Sequence, residues 1–357
     1  MKRINLIGLA ALGCSWALLA EPLPAQFVYV ANYNGANISA YSLNPKTGVL
    51  AAVPGSPFAT GTTPASLALH PSGRFLYVTN TGPNTVSGYS IDDKTGALTA
   101  IPGQLPTSLS PAGIAVDPLG RFAYVTNANA ATVSGYRIDA KTGALTPVEG
   151  SPFPTGHNPT AVAVDPKAEF VYVVNENDNT VLGDRIDQKT GALTQVPGSP
   201  FPTGSAPNAF MANPTGKFAY VTNFNDGTVS GYSIDRKTGA LTSLSASPFA
   251  TGGEPTGLAI DPNGKFTYVT GANGNTVSGY SIDPLTGTLK PLPGSPFGAG
   301  SDPDSVAIDP TAQFAYVANG LDNTISAYII DCDGYLSPVS GSPFPTGQFP
   351  ADIAVSN

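Results

Sequence analysis

The chain has 357 residues, 41% hydrophobic and only 11% charged, with a formal net charge of −8. Its 16 Lys plus Arg are outnumbered by 24 Asp plus Glu, which excludes a nucleic-acid binder, because phosphate recognition needs clustered basic side chains. The 40 Gly and 35 Pro fall at fixed places in a repeat, so they read as turn punctuation and not as disorder.

At the start of the chain, Lys2 and Arg3 precede an apolar run from Ile4 to Ala20. This is the pattern of a secretory signal peptide over residues 1–25, with cleavage after Ala20 or Ala25. Cys14 follows Leu12-Gly13, but Ala11 stands where a lipoprotein signal carries Leu and the apolar run continues past the cysteine, so lipid anchoring is not expected. No later apolar run approaches the roughly 20 residues that span a bilayer. The expectation is a secreted or periplasmic monomer. Removal of the leader leaves Cys332 as the only cysteine, which predicts no intrachain disulfide.

One phrase then recurs seven times, opened by Phe27, Phe75, Phe122, Phe170, Phe218, Phe266 and Phe314 at steps of 47 or 48 residues. A period of about 40 to 50 residues made of short alternating strands predicts a β-propeller. In one copy the strands are 159–166, 170–175, 180–187 and 191–196, each bounded by Gly, Pro, Asn or Asp. Four antiparallel strands make one blade. The first strand alternates small and large residues, as in Gly113-Ile114-Ala115-Val116, which places it innermost, where blades crowd together. The turn Asp117-Pro118-Leu119-Gly120 joins strands one and two, and Asp92-Asp93-Lys94-Thr95-Gly96 joins strands three and four. The Lys-Thr-Gly triplet repeats at Lys46, Lys94, Lys141, Lys189 and Lys237 and is turn chemistry, not a catalytic motif. Phe27 begins at strand two, and 350–357 is an inner strand with nothing after it. Joined, they complete a seventh blade. The prediction is one all-β domain over 27–357, a seven-bladed propeller closed by its C-terminal strand.

The strand-two phrase Tyr77-Val-Thr-Asn80, Tyr124-Val-Thr-Asn127 and Tyr220-Val-Thr-Asn223 resembles that of the YVTN-repeat propellers. More broadly it is similar to the seven-bladed lactonase-like family, which includes bacterial 6-phosphogluconolactonases. The likeness covers the whole mature chain. It implies hydrolysis of a lactone or ester at the central mouth by a His, Glu and Arg cluster. His157 and Glu254 supply two of those types as catalytic candidates, and no Arg completes the set.

The charges sort by face. The turns between strands one and two and between strands three and four carry most of the basic residues, from Lys46 to Lys265. The opposite face carries Glu149, Glu176, Asp178, Asp226, Glu254, Asp302, Asp304, Asp322 and Asp352 without any Lys or Arg. Such a face attracts a cation, an amine or a basic partner and repels anions. The residues just before the inner-strand Pro vary most among the copies, among them His157-Asn158, Gly253-Glu254 and Ser301-Asp302. Ligand contacts are therefore expected from Asn158, Glu176, Asn208, Asp302, Asp304 and Asp352. No cofactor is required. Glu254, Asp302, Asp304 and Asp352 enter from neighbouring blades and suit a hard cation such as Ca2+. The alternative to a hydrolase is a noncatalytic binding module for a basic protein surface or a cation. Asp184 replaces a Tyr found in the other copies, and Arg137 on the preceding blade is its expected ion-pair partner.

Overall fold

The structure is a computed structural model and describes residues 25–103 and 105–356. The leader, including Cys14 and the cleavage position after Ala20, lies outside the described residues. Of the seven antiparallel sheets, six are each built from consecutive strands and the seventh joins the last strand to the first ones, and no α-helix occurs among the described residues. We number the blades by their inner strands. Blades 1 to 3 hold Pro64–Leu69, Pro111–Val116 and Pro159–Val164. Blades 4 to 6 hold Pro207–Ala212, Pro255–Ile260 and Pro303–Ile308, and blade 7 holds Pro350–Val355. That last strand pairs antiparallel with Gln26–Asn32, in register from Val28↔Val355 to Ala31↔Asp352. The final strand therefore closes the ring on the first.

The outer edge is more elaborate than four strands. In blade 3, Leu193–Gln195 and Phe201–Pro202 both pair with Thr180–Ile186, and every blade has this five-stranded form. The intervening Val-Pro-Gly-Ser-Pro explains the break. Proline offers no ladder donor and Gly198 sits at φ +83, so pairing stops and resumes.

Blades are stapled to one another by the repeated phrase itself. In all seven, the strand-two Tyr donates its hydroxyl to a glycine carbonyl of the next blade. The pairs run from Tyr29 to Gly96 (3.0 Å) around to Tyr316 and Gly48 (2.9 Å). Those glycines close the strand-three to strand-four turns. A Cβ on Gly96 (φ +74) would lie 2.3 Å from the Phe27 ring, so only glycine fits there. The Phe-x-Tyr phrase and the Lys-Thr-Gly turn are two halves of one interface. A second staple runs from the strand-three Tyr to the previous blade, as from Tyr232 to the Pro202 carbonyl (2.6 Å).

Asp184 takes the place of that second Tyr in blade 3, and its expected pair with Arg137 does not form. Arg137 instead donates to the Lys189 carbonyl and lies over the Phe122 ring. Asp184 is buried, and burial pushes its carboxyl up to about 6, so the group can be neutral where a charge would be costly. Cys332 is disulfide-bonded, and the one other cysteine of the sequence, Cys14 of the expected leader, lies outside the described residues.

The first-strand to second-strand turns follow the predicted chemistry. Asp165 Oδ1 accepts from the main-chain N–H groups of Glu169 and Phe170, and Asp261 and Asp309 repeat this. In blade 7 the Ser356 hydroxyl accepts from the Phe27 N–H (2.8 Å), doing the same work across the ring closure. His70 is a turn residue, as read from sequence, with its ring against Ser72 and the Gly120 carbonyl.

Candidate active site

The inner strands surround a channel. The first and second residues after each inner-strand Pro line it: Ala65-Ser66, Ala112-Gly113, Thr160-Ala161, Asn208-Ala209, Thr256-Gly257, Asp304-Ser305 and Ala351-Asp352. The cavity measures about 370 Å³. Small residues are needed here, since a Cβ on Gly257 would lie 2.7 Å from the Asp304 carbonyl oxygen. A second cavity of about 660 Å³ opens over blades 4 to 6, walled by Phe224, Glu254, Ala272, Asn273, Asn275, Ser301, Asp302 and Leu321. The two cavities share Asn208, Thr256 and Asp304, so they form one funnel.

Asp304 is the singular group of this funnel. The equivalent positions in the other blades hold Ala, Thr or Asn. Its carboxylate has no hydrogen-bond partner among the described residues, and its acidity is shifted up to about 7, by burial first and then by the charges of Asp302 and Asp352. Space for it comes from Gly320. A Cβ there would stand 2.9 Å from Asp304 Oδ2 and 3.3 Å from Asp302 Oδ2. The six equivalent rim residues are Tyr33, Thr81, Ala128, Glu176, Phe224 and Ala272, so blade 6 alone leaves this gap.

Asp302 is oriented from two sides. Its main-chain N–H donates to Asn275 Oδ1 of blade 5 (3.0 Å), and the preceding Ser301 N–H donates to Asp322 (2.7 Å). Its φ of 56 is a conformation that Asp tolerates better than most residues. Asp352 is different. Oδ2 accepts from the Ser66 hydroxyl and the Leu67 N–H (both 2.9 Å), and Oδ1 from the Ser305 hydroxyl (2.8 Å) and the Ile353 N–H (2.9 Å). It ties blades 6, 7 and 1 together at the channel wall. Burial pushes its carboxyl up against those four hydrogen bonds, which favour the charged form.

The other sequence candidates fall into two groups. Glu254, Asn208, Asp302 and Asp304 converge on the mouth. His157 does not line either cavity. Its side chain is 79% exposed, and its ring Nδ1 lies 2.9 Å from Asp178. Asp178 belongs to the frame: its Oδ2 accepts from the His157 N–H (2.8 Å), as Asp226 accepts from Ser205 N–H (2.8 Å) and Asp322 from Ser301 N–H (2.7 Å). Those bonds hold Asp178 below the usual carboxylate range. Asn158 is tied to Glu176 on the same rim (2.7 Å). Among the described residues, no group of three or more His, Cys, Asp or Glu is arranged to hold a metal ion.

The Glu254 loop is built unlike its neighbours. Elsewhere a strand-two Asn braces the rim, as Asn319 Oδ1 accepts from Gly300 N–H (3.2 Å). Blade 5 has Gly271 at that place and Gly274 where its neighbours have Asp226 and Asp322. Gly252 N–H turns to the Ser278 hydroxyl instead (3.1 Å), and Gly253 takes φ +137. The substitution of Asn by Gly in Tyr268-Val-Thr-Gly271 was the sequence signal for this, and Gly320 carried a second one.

Comparison with known proteins agrees with this architecture. The chain matches the family model described as lactonase, 7-bladed beta-propeller, over residues 47–157, 99–204 and 150–252, together more than half its length. It belongs to that family. Among solved structures it is similar to the periplasmic gluconolactonase PpgL of Pseudomonas aeruginosa, with 20% identity, TM-score 0.80, and coverage of 93% of this chain and 99% of that one. A Bacteroides uniformis protein assigned provisionally as a 6-phosphogluconolactonase gives 19% identity, TM-score 0.81, and coverage of 93% and 99%. A Lactobacillus plantarum protein gives 20% identity, TM-score 0.78, and coverage of 93% and 100%. At these identities the likeness shows the fold. No match was found among curated protein sequences.

Proposed function

We propose that the chain hydrolyses an uncharged lactone or ester at the funnel of blades 4 to 6, with Asp304 as general base. One observation carries this reading: Asp304 stands unpartnered where the two cavities meet, with its acidity brought to about 7. A base works best when its pKa lies near the working pH. Ionised Asp304 takes a proton from a water molecule, whose oxygen attacks the lactone carbonyl carbon. The ring C–O bond then breaks, and the departing oxygen recovers the proton from Asp304. The Asn208 side-chain amide, on the same wall and free of other hydrogen bonds among the described residues, is the donor available to the carbonyl oxygen as it becomes negative. The Thr256 hydroxyl is less suited, since it is spent on the Pro303 carbonyl (2.8 Å). Glu254 and Asp302 wall the mouth and position the substrate. Family membership supports the reaction class. The basic N-terminus and its apolar run support export of the protein, so that the reaction occurs outside the cytoplasm.

A panel of uncharged lactones and aryl esters assayed with wild type and Asp304→Asn tests the proposal. Turnover that drops at least 100-fold in the variant is expected. Equal rates in both would remove Asp304 from the chemistry. Absence of turnover across the panel would leave the mouth as a binding surface for a basic partner and end the hydrolase reading.

A further inference from the structure

Among the described residues, no Lys or Arg lines the channel or the mouth. Several basic side chains are fastened at the opposite end of the blades: Arg74 to the Ala140 carbonyl (2.9 Å), Arg121 to the Gln188 carbonyl (3.4 Å) and Lys265 to the Cys332 carbonyl (2.6 Å). The funnel carries Glu254, Asp302, Asp304 and Asp352 with no counter-charge among the described residues. A phosphate or carboxylate entering it meets only like charge, and a cleft lined by one sign of charge focuses that repulsion.

We infer that this site selects by charge: it takes uncharged lactones, refuses lactones that carry a phosphate or carboxylate, and expels its own product. The inference rests on the hydrolase reading above and names the substrate class for that site. Ring opening supplies the switch. Water adds across the acyl C–O bond, a neutral lactone becomes a hydroxy acid, and that acid ionises by releasing one proton to solvent. The molecule that leaves therefore carries a charge that the molecule entering lacked. Asp302 and Glu254 at the opening repel it, so product does not compete with substrate. Structural likeness to a protein assigned provisionally as a 6-phosphogluconolactonase does not extend to this chemistry, because a phosphosugar needs basic side chains that this funnel does not have.

The test compares D-glucono-1,5-lactone with its 6-phosphate on the full mature chain. The neutral lactone is expected to be preferred at least tenfold in kcat/KM, and gluconate at 100 times the substrate KM is expected not to inhibit. Raising NaCl from 20 to 500 mM should narrow the preference, since salt screens exposed charges. Asp302→Lys should narrow it further, by at least tenfold. The salt series needs no variant, so a misfolded mutant leaves the test intact. Equal or better use of the phosphorylated lactone, or inhibition by gluconate at substrate concentrations, would overturn the inference. If neither lactone is turned over, the hydrolase reading fails separately, and charge selection is read by calorimetry with the stable glucono-1,5-lactam and its 6-phosphate. Tighter binding of the phosphorylated lactam, or binding of neither, would then end the charge inference too.

Discussion

The rim of blade 3 and the rim of blades 5 and 6 look alike in sequence and differ in kind. Both present a polar pair before the inner-strand Pro, His157-Asn158 in one and Gly253-Glu254 with Ser301-Asp302 in the other. In blade 3 the carboxylate beside the histidine is the loop brace that blades 4 and 6 also use, and the imidazole lies on its outer, wet side. In blade 5 two braces have been replaced by Gly271 and Gly274, and in blade 6 Gly320 has opened a gap beside Asp304. A contact repeated around the ring is framework. A departure that leaves a carboxylate without a partner is where chemistry can reside.

The sharpest way to break this comparison is to exchange its two centres. Asp304→Asn should lower lactone turnover by about 10²–10⁴-fold, the usual size of a general-base contribution. His157→Ala should leave kcat/KM within about twofold, and a loss comparable to that of Asp304→Asn would reverse the two assignments.

The pH profile sharpens it next. Asp304 must be ionised to act, so kcat/KM should rise with pH and level off above about 7. A profile already flat from pH 5 would show that Asp304 ionises normally. Stability should move the opposite way. Asp304, raised from 3.8 to about 7, and Asp184, raised to about 6, hold protons in the folded state that the unfolded chain has lost. Their contribution is complete below the unfolded value of 3.8 and disappears as pH rises to about 7. The turn carboxylates Asp92, Asp139, Asp187, Asp235 and Asp283 are shifted down instead, so they act only in more acid solution. Melting temperature should therefore fall as pH rises between those limits, and the double variant Asp184→Asn/Asp304→Asn should flatten the fall. An unchanged slope would contradict both shifts.

Smaller effects test the frame. Asp352→Ala strands the Ser66 and Ser305 hydroxyls and the Leu67 N–H at the ring closure, and should cost about 1–3 kcal/mol in denaturant unfolding. A cost below about 0.5 kcal/mol would remove its role as a clasp between blades. Asp184→Tyr should restore the second inter-blade staple toward blade 2 and stabilise by about 0.5–1.5 kcal/mol, the net worth of one buried hydrogen bond. A lower melting temperature would mean that the blade 3 interface has repacked around the carboxylate.

Most of the fold was legible in the chain, because a 47- or 48-residue period, turn residues at fixed offsets and a split blade at the two ends leave few alternatives. The broken outer strand was not, because its second half is only two residues long, as in Phe201–Pro202. The identities of Asp304, Asp302 and Glu254 as mouth residues were also legible, as departures from the repeat. Their roles were not. His157 drew attention as the one histidine of the mouth face, yet chemistry depends on the environment that a side chain faces more than on its type. The Arg137–Asp184 pair expected from neighbouring blades does not form, and the guanidinium is held by a carbonyl and an aromatic ring instead.

The sequence by itself determined seven sheets, their order around an axis, and the segregation of charge to two ends, since each of these follows from local patterning repeated along the chain. Only the tertiary structure decided which carboxylates are braces, which is a clasp and which stands open. Those differences depend on distances between residues tens to hundreds of positions apart, such as Ser66 and Asp352, and on burial that no single repeat contains.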